Sequence, residues 1–72
     1  MLNVKSTYEV LGFNTDCPRS YMHKLLSLGF IPGTKFYIEK KALFGNPYHI
    51  KIKDFSISLR LSELLLLKVN LV

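Results

Sequence analysis

His23-Lys24-Leu25-Leu26-Ser27-Leu28-Gly29-Phe30-Ile31-Pro32-Gly33-Thr34 is the stretch in which the apolar period of this 72-residue chain changes. Upstream of it Tyr21, Leu25 and Leu28 recur at intervals of four and three, which places them on one face of a short helix. Gly29 can take the left-handed conformation that ends a helix, with His23 and Lys24 near the negative end of its dipole. Phe30 and Ile31 are carried past the stop and can fold back on the helix. Pro32-Gly33 then reads as a type II turn, proline setting φ at the second position and glycine supplying a positive φ at the third. From Phe36 onward the period is two. The stretch therefore predicts one helix, over residues 18–28, turned through two corners against a sheet.

Working outward, Tyr8 and Val10 alternate with Glu9 as a first strand that bends at Gly12, after a loose lead-in over residues 1–5. Pro18 suits a first helical turn, and Asp16 or Ser20 can cap it. Phe36 and Ile38 alternate with Lys35, Tyr37 and Glu39 in a second strand, and Tyr48, Ile50 and Ile52 with His49, Lys51 and Lys53 in a third. Phe55, Ile57 and Leu59 alternate with Ser56, Ser58 and Arg60 in a fourth, joined to the third near Asp54, the residue expected to carry any positive φ of that turn. Leu61 breaks the alternation, Ser62 can cap one helical turn, and Leu67, Val69 and Leu71 resume it. The fold expected is a single, mostly β domain over residues 1–72: a small, mostly antiparallel barrel of about five strands, with one helix between strands 1 and 2 and a short helical turn before the last strand. Tyr21, Leu25, Leu28, Gly29, Pro32, Gly33, Gly45 and Pro47 are its structural residues.

Ten Lys and Arg against five Asp and Glu leave a charge of +5, spread along the chain with no basic run beyond two residues. The balance favours an anionic neighbour without choosing among them. Cys17 is unpaired, which fits a reducing compartment. No apolar run approaches the ~20 residues that span a bilayer, so a cytoplasmic protein is expected. His23, His49 and Cys17 have no metal-ligand spacing, Cys17 has no base beside it, and no glycine cluster forms a phosphate loop. Neither metal, cofactor nor catalysis is expected. Tyr37, Tyr48 and Phe55 near Lys35, Lys51 and Lys53 leave one alternative, a stacking surface for single-stranded nucleic acid.

Two features ask for a partner. Leu43 and Phe44 are large apolar residues in a loop, residues 42–47, where they either close an end of the barrel or meet another protein. Leu64, Leu65, Leu66 and Leu67 are consecutive, and so thin a domain cannot hide all four. Met22 and Leu26 lie off the helix's apolar stripe and form a lesser candidate.

Three segments resemble the FeoA family, small cytoplasmic SH3-like proteins of bacterial ferrous iron transport. They are Leu25-Leu26-Ser27-Leu28-Gly29-Phe30-Ile31-Pro32-Gly33, Ala42-Leu43-Phe44-Gly45-Asn46-Pro47 with Tyr48-His49-Ile50, and Leu59-Arg60-Leu61-Ser62-Glu63. The likeness runs over about residues 8–69. Family members usually read Pro-Leu-Gly-Asp-Pro in the loop, so Asn46 replaces a carboxylate, and Asp54 stands where a turn glycine is usual. The resemblance implies an SH3-like barrel acting as an accessory or regulator of FeoB, the permease with a cytoplasmic G domain, without carrying iron itself. Any contact with the inner membrane is then expected only through that partner. The expected contact residues are Leu43, Phe44, Asn46 and Tyr48 of the loop and Leu64 to Leu67, the leucine run also offering weak self-association. Arg60 is the arginine a finger-type activation would nominate, but its place beside Glu63 favours an ion pair between the two, and activation of the G domain is not expected.

Overall fold

The period-two segments all form strands in the computed structural model, which describes residues 2–72. In chain order the elements are β1 Ser6–Phe13, α1 Arg19–Ser27, β2 Lys35–Lys41, a 3₁₀ turn Leu43–Gly45, β3 Tyr48–Ile52, β4 Phe55–Leu59, α2 Leu61–Leu64 and β5 Leu67–Leu71. The strands make one sheet of order β4-β3-β2-β1-β5, antiparallel throughout. Fold and element placement are those expected.

The corner at Gly29 has the geometry its sequence implies. The Phe30 N–H donates to Leu25 O and the Gly29 N–H to Leu26 O, both at 3.0 Å, with Gly29 at φ +107°. This pair of hydrogen bonds is the Schellman closure, and its accompanying apolar contact joins Leu25 to Phe30, each fully buried. Thr34 N–H then donates to Ile31 O at 2.9 Å across Pro32-Gly33, with Gly33 at φ +95°. The turn is locked to β1, since Gly33 N–H donates to Val10 O and Val10 N–H to Thr34 O, both at 2.8 Å. Ile31, unlike Phe30, does not fold back and stays exposed.

The core is the inward face of that alternation: Tyr8 and Val10 from β1, Phe36 and Ile38 from β2, Tyr48, Ile50 and Ile52 from β3, Leu59 from β4, with Leu25, Phe30, Leu64 and Leu67 closing it. Phe36 lies at its centre, stacked at 5.9 Å on Tyr8 and edge-on at 5.3 Å to Phe30. Registers Phe36↔Ile52 and Ile38↔Ile50 put these side chains on one face. One-residue shifts between Val10 and Gly12 and between Ile38 and Lys40 add curl to the sheet.

Several expectations give way. Tyr21 is 43% exposed although it shares a stripe with Leu25; only the C-terminal half of α1, anchored by the Schellman turn, reaches the sheet. Pro18 takes the capping position itself, leaving Asp16 two residues before the cap, and among the described residues no side-chain oxygen caps α1. Phe55 is 64% exposed because β4 is the last strand of the sheet and has a neighbour on one side only. At the β3–β4 turn the positive φ falls on Lys53, at 54°, and not on Asp54. The lead-in is tied down: Leu2 is buried, Asn3 N–H donates to Tyr8 Oη at 2.8 Å and Lys5 N–H to Ile38 O at 2.6 Å, while Met1 lies outside the described residues.

Candidate functional site

The loop between β2 and β3 is closed on itself before any partner is considered. Gly45 N–H donates to Ala42 O at 3.0 Å and Ala42 N–H to Pro47 O at 2.9 Å, with the Asn46-Pro47 peptide cis. Asn46 Oδ1 accepts the Leu61 N–H at 2.8 Å and so caps the first turn of α2. With its backbone thus pinned at both ends, the loop holds Leu43 at 84% exposure and Phe44 at full exposure. Neither closes an end of the barrel, as the residues by themselves had suggested. Phe44 has φ 66° and ψ 15°, a left-handed conformation that a bulky residue occupies at a cost of ~1 kcal/mol. Strain and lost burial therefore fall on one residue.

The other two nominees of this region, Tyr48 and Asn46, have places in the fold itself. Tyr48 is 3% exposed and belongs to the core, since the β3 alternation points it inward with Ile50 and Ile52. This also dissolves the aromatic trio proposed as a stacking surface, because only Phe55 and, in part, Tyr37 reach solvent. Asn46 spends its carbonyl oxygen on α2 and is half-buried.

The leucine run is divided by α2. Leu64 and Leu67 are buried at 1% and 5%, whereas Leu66 is half-buried and Leu65 is 52% exposed. One helical turn followed by a strand sends four consecutive side chains in different directions, and two of them reach the core. Leu65, with Leu2, Asn3, Tyr8, Val69 and Leu71, lines a shallow groove of about 360 Å³. A second cleft of about 220 Å³ lies between the helices, lined by Pro18, Tyr21, Ser62, Glu63 and Leu66. Leu71 in the first and Tyr21 in the second are surface residues that alternation and helical spacing had assigned to packing. Met22 and Leu26 are half-buried.

Glu63 was expected to pair with Arg60, yet its carboxylate meets Lys24 Nζ at 2.5 Å. Arg60 hydrogen-bonds it through the backbone N–H alone, donated to Glu63 Oε1 at 3.1 Å, and its side chain stays exposed. The Lys24 hydrogen bond holds the Glu63 carboxyl below the usual range, against burial, which raises it; the Arg60 N–H and the charges of both cations lower it further. Ser62 does not cap α2; Asn46 accepts its first N–H, that of Leu61, and Glu63 accepts the N–H of Arg60 just before it. Among the described residues no three His, Cys, Asp or Glu side chains stand together as a metal site would need, and no helix is long and apolar enough to cross a membrane.

Five antiparallel strands, a helix between the first two and a helical turn before the last define the class, a small β domain of the SH3-like type. The FeoA domain model matches residues 1–70. The FeoA-like protein of Clostridium acetobutylicum superposes with a TM-score of 0.87 at 31% identity, over 97% of this chain and 79% of that one. Iron(II) transport protein A of Clostridium thermocellum does so at 0.84 and 28% identity, over 99% of this chain and 43% of that one. A zinc complex of Stenotrophomonas maltophilia FeoA, described as an SH3 domain protein, shares the fold at a TM-score of 0.80 and 21% identity, over 96% of this chain and 84% of that one. The chain belongs to the FeoA family.

Proposed function

We propose that this protein is a non-catalytic cytoplasmic accessory of ferrous iron uptake that acts by docking on the cytoplasmic part of a FeoB-like permease. Loop 42–47 is the contact and Phe44 its anchor. Family membership supports the transport role, as do the ferrous iron transport activating factor put forward for the S. maltophilia protein and the iron(II) transport protein of C. thermocellum. The single observation that carries the docking site is Phe44, fully exposed and left-handed on a loop whose backbone is already tied down. A solvent-facing aromatic on a pinned backbone loses little backbone freedom on binding and gains much from desolvation. The exposed Leu65 edge of the leucine run is a secondary contact.

Titrating ¹⁵N-labelled protein with the soluble permease domain tests the reading. The expected result is saturable shifts in residues 42–47, abolished by Phe44→Ser with the remaining spectrum intact. Shifts confined elsewhere, or an unaltered affinity in Phe44→Ser, would overturn it.

A further inference from the structure

The sheet ends at β4, and this end carries a second surface, separate from the loop. β4 pairs with β3 on one side through Ile52↔Phe55, Lys51↔Ser56, Ile50↔Ile57, His49↔Ser58 and Tyr48↔Leu59, and β4 is the last strand in the sheet. Only two residues connect Ile52 to Phe55, so that pair exchanges both its hydrogen bonds, and the alternation that follows gives the same to Ile57 and Leu59. The N–H and C=O groups of Ser56 and Ser58 then point away from β3. Both serines are exposed, and among the described residues no backbone hydrogen bond outside the ladder reaches residues 55–59.

Proteins usually blunt such an edge with proline, a bulge or a charge. β4 reads Phe55-Ser56-Ile57-Ser58-Leu59, with none of these; at the opposite end of the sheet, β5 carries Lys68. The pattern is also symmetric about Ile57. Antiparallel pairing of β4 with itself, centred on Ile57, sets Ser56 opposite Ser58 of the second copy, so that the outward groups on each side meet. Phe55 falls opposite Leu59 of the second copy, and just outside the strand Asp54 falls opposite Arg60. Opposite charges meet twice, and no like charges face each other.

We propose that two copies of this chain associate through β4 about a two-fold axis at Ile57, joining their sheets into one continuous antiparallel sheet. The occupant is a second copy because the complementarity is internal to the strand: serine to serine, Phe55 to Leu59, Asp54 to Arg60. An interface made of one short strand is small and forms a weak, concentration-dependent dimer. Phe55, 64% exposed in the single chain, gains a cover on pairing.

Sedimentation across a concentration series, with hydrogen exchange read residue by residue, tests this. The expected result is a dimer whose formation slows exchange at Ser56 and Ser58, together with an inter-copy contact between the two Ile57 α-protons in a mixed labelled and unlabelled sample. Asp54→Arg and Arg60→Asp should each weaken the dimer roughly three- to tenfold, as expected of two exposed ion pairs, and the double exchange should restore it. Both positions are exposed, and unchanged circular dichroism would confirm that each variant folds. A monomer at millimolar concentration, a dimer protecting the leucine run instead of β4, or a double variant no tighter than either single one would overturn the proposal.

Discussion

Phe44 and Glu63 show how differently one side chain can be used in so small a domain. At Phe44 a left-handed backbone and a fully exposed ring are held together by bonds made elsewhere in the loop. Glycine accepts that φ without strain, so Phe44→Gly is expected to raise stability by about 0.5–1 kcal/mol in urea denaturation while removing permease binding. A variant that is more stable and less competent would mark the residue as retained for contact. Glu63, 8% exposed, is in contrast committed to the fold. Its carboxyl is held below its unfolded value, so its contribution is fully present above the ordinary carboxylate pKa. That contribution is lost as pH falls through the folded-state value. Glu63→Gln should cost about 1–2 kcal/mol at pH 7, and its stability should fall less than that of the wild type between pH 6 and pH 3.

At the scale of elements, α1 is held from its C-terminal end. Leu25 and Phe30, closed over Gly29, are fully buried, whereas Tyr21 stands at the lip of the cleft toward α2. Leu25→Ala should therefore cost about 2–5 kcal/mol and Tyr21→Ala far less, although both lie on the same helical stripe; equal losses would show that the helix packs along its whole length. α2 is a single turn that could not persist alone. It owes its start to Asn46, fifteen residues upstream, and to the carboxylate of Glu63. Asn46→Ala should cost about 0.5–2 kcal/mol and loosen loop 42–47 together with α2, read as faster amide exchange at Leu61 and Gly45.

The whole molecule has little stability to spare, about 4–11 kcal/mol for a domain of this length. Loss of Leu25 alone can consume much of it. The core is shared by every strand and by α1, so loss of packing at one point is felt by all of them. Large apolar residues nevertheless remain outside it, among them Phe44 on the loop, Leu65 at the rim and Phe55 on the last strand. Their exposure is costly in so small a domain, and at the loop it is the cost that the proposed docking would offset.

What the sequence by itself determined is whatever depends on near neighbours. Gly29 and Pro32-Gly33 force their corners through backbone conformation, and the alternations at Tyr8, Phe36 and Ile50 choose the inward face through the two-residue period of a strand. The same local order carried the family likeness, which the FeoA domain match bears out. Tertiary structure alone decided how far each face is covered, because burial belongs to the neighbours a residue meets and not to its own spacing. Phe55 follows the same alternation as Ile50 yet sits on the last strand, and Tyr21 follows the same stripe as Leu25 yet lies beyond the reach of the sheet. Glu63 passed over Arg60 for Lys24, thirty-nine residues away, since folding brings an ammonium to the carboxylate while the nearer guanidinium stays in water. For the same reason the choice among four adjacent leucines waited on the direction in which one helical turn released the chain into β5.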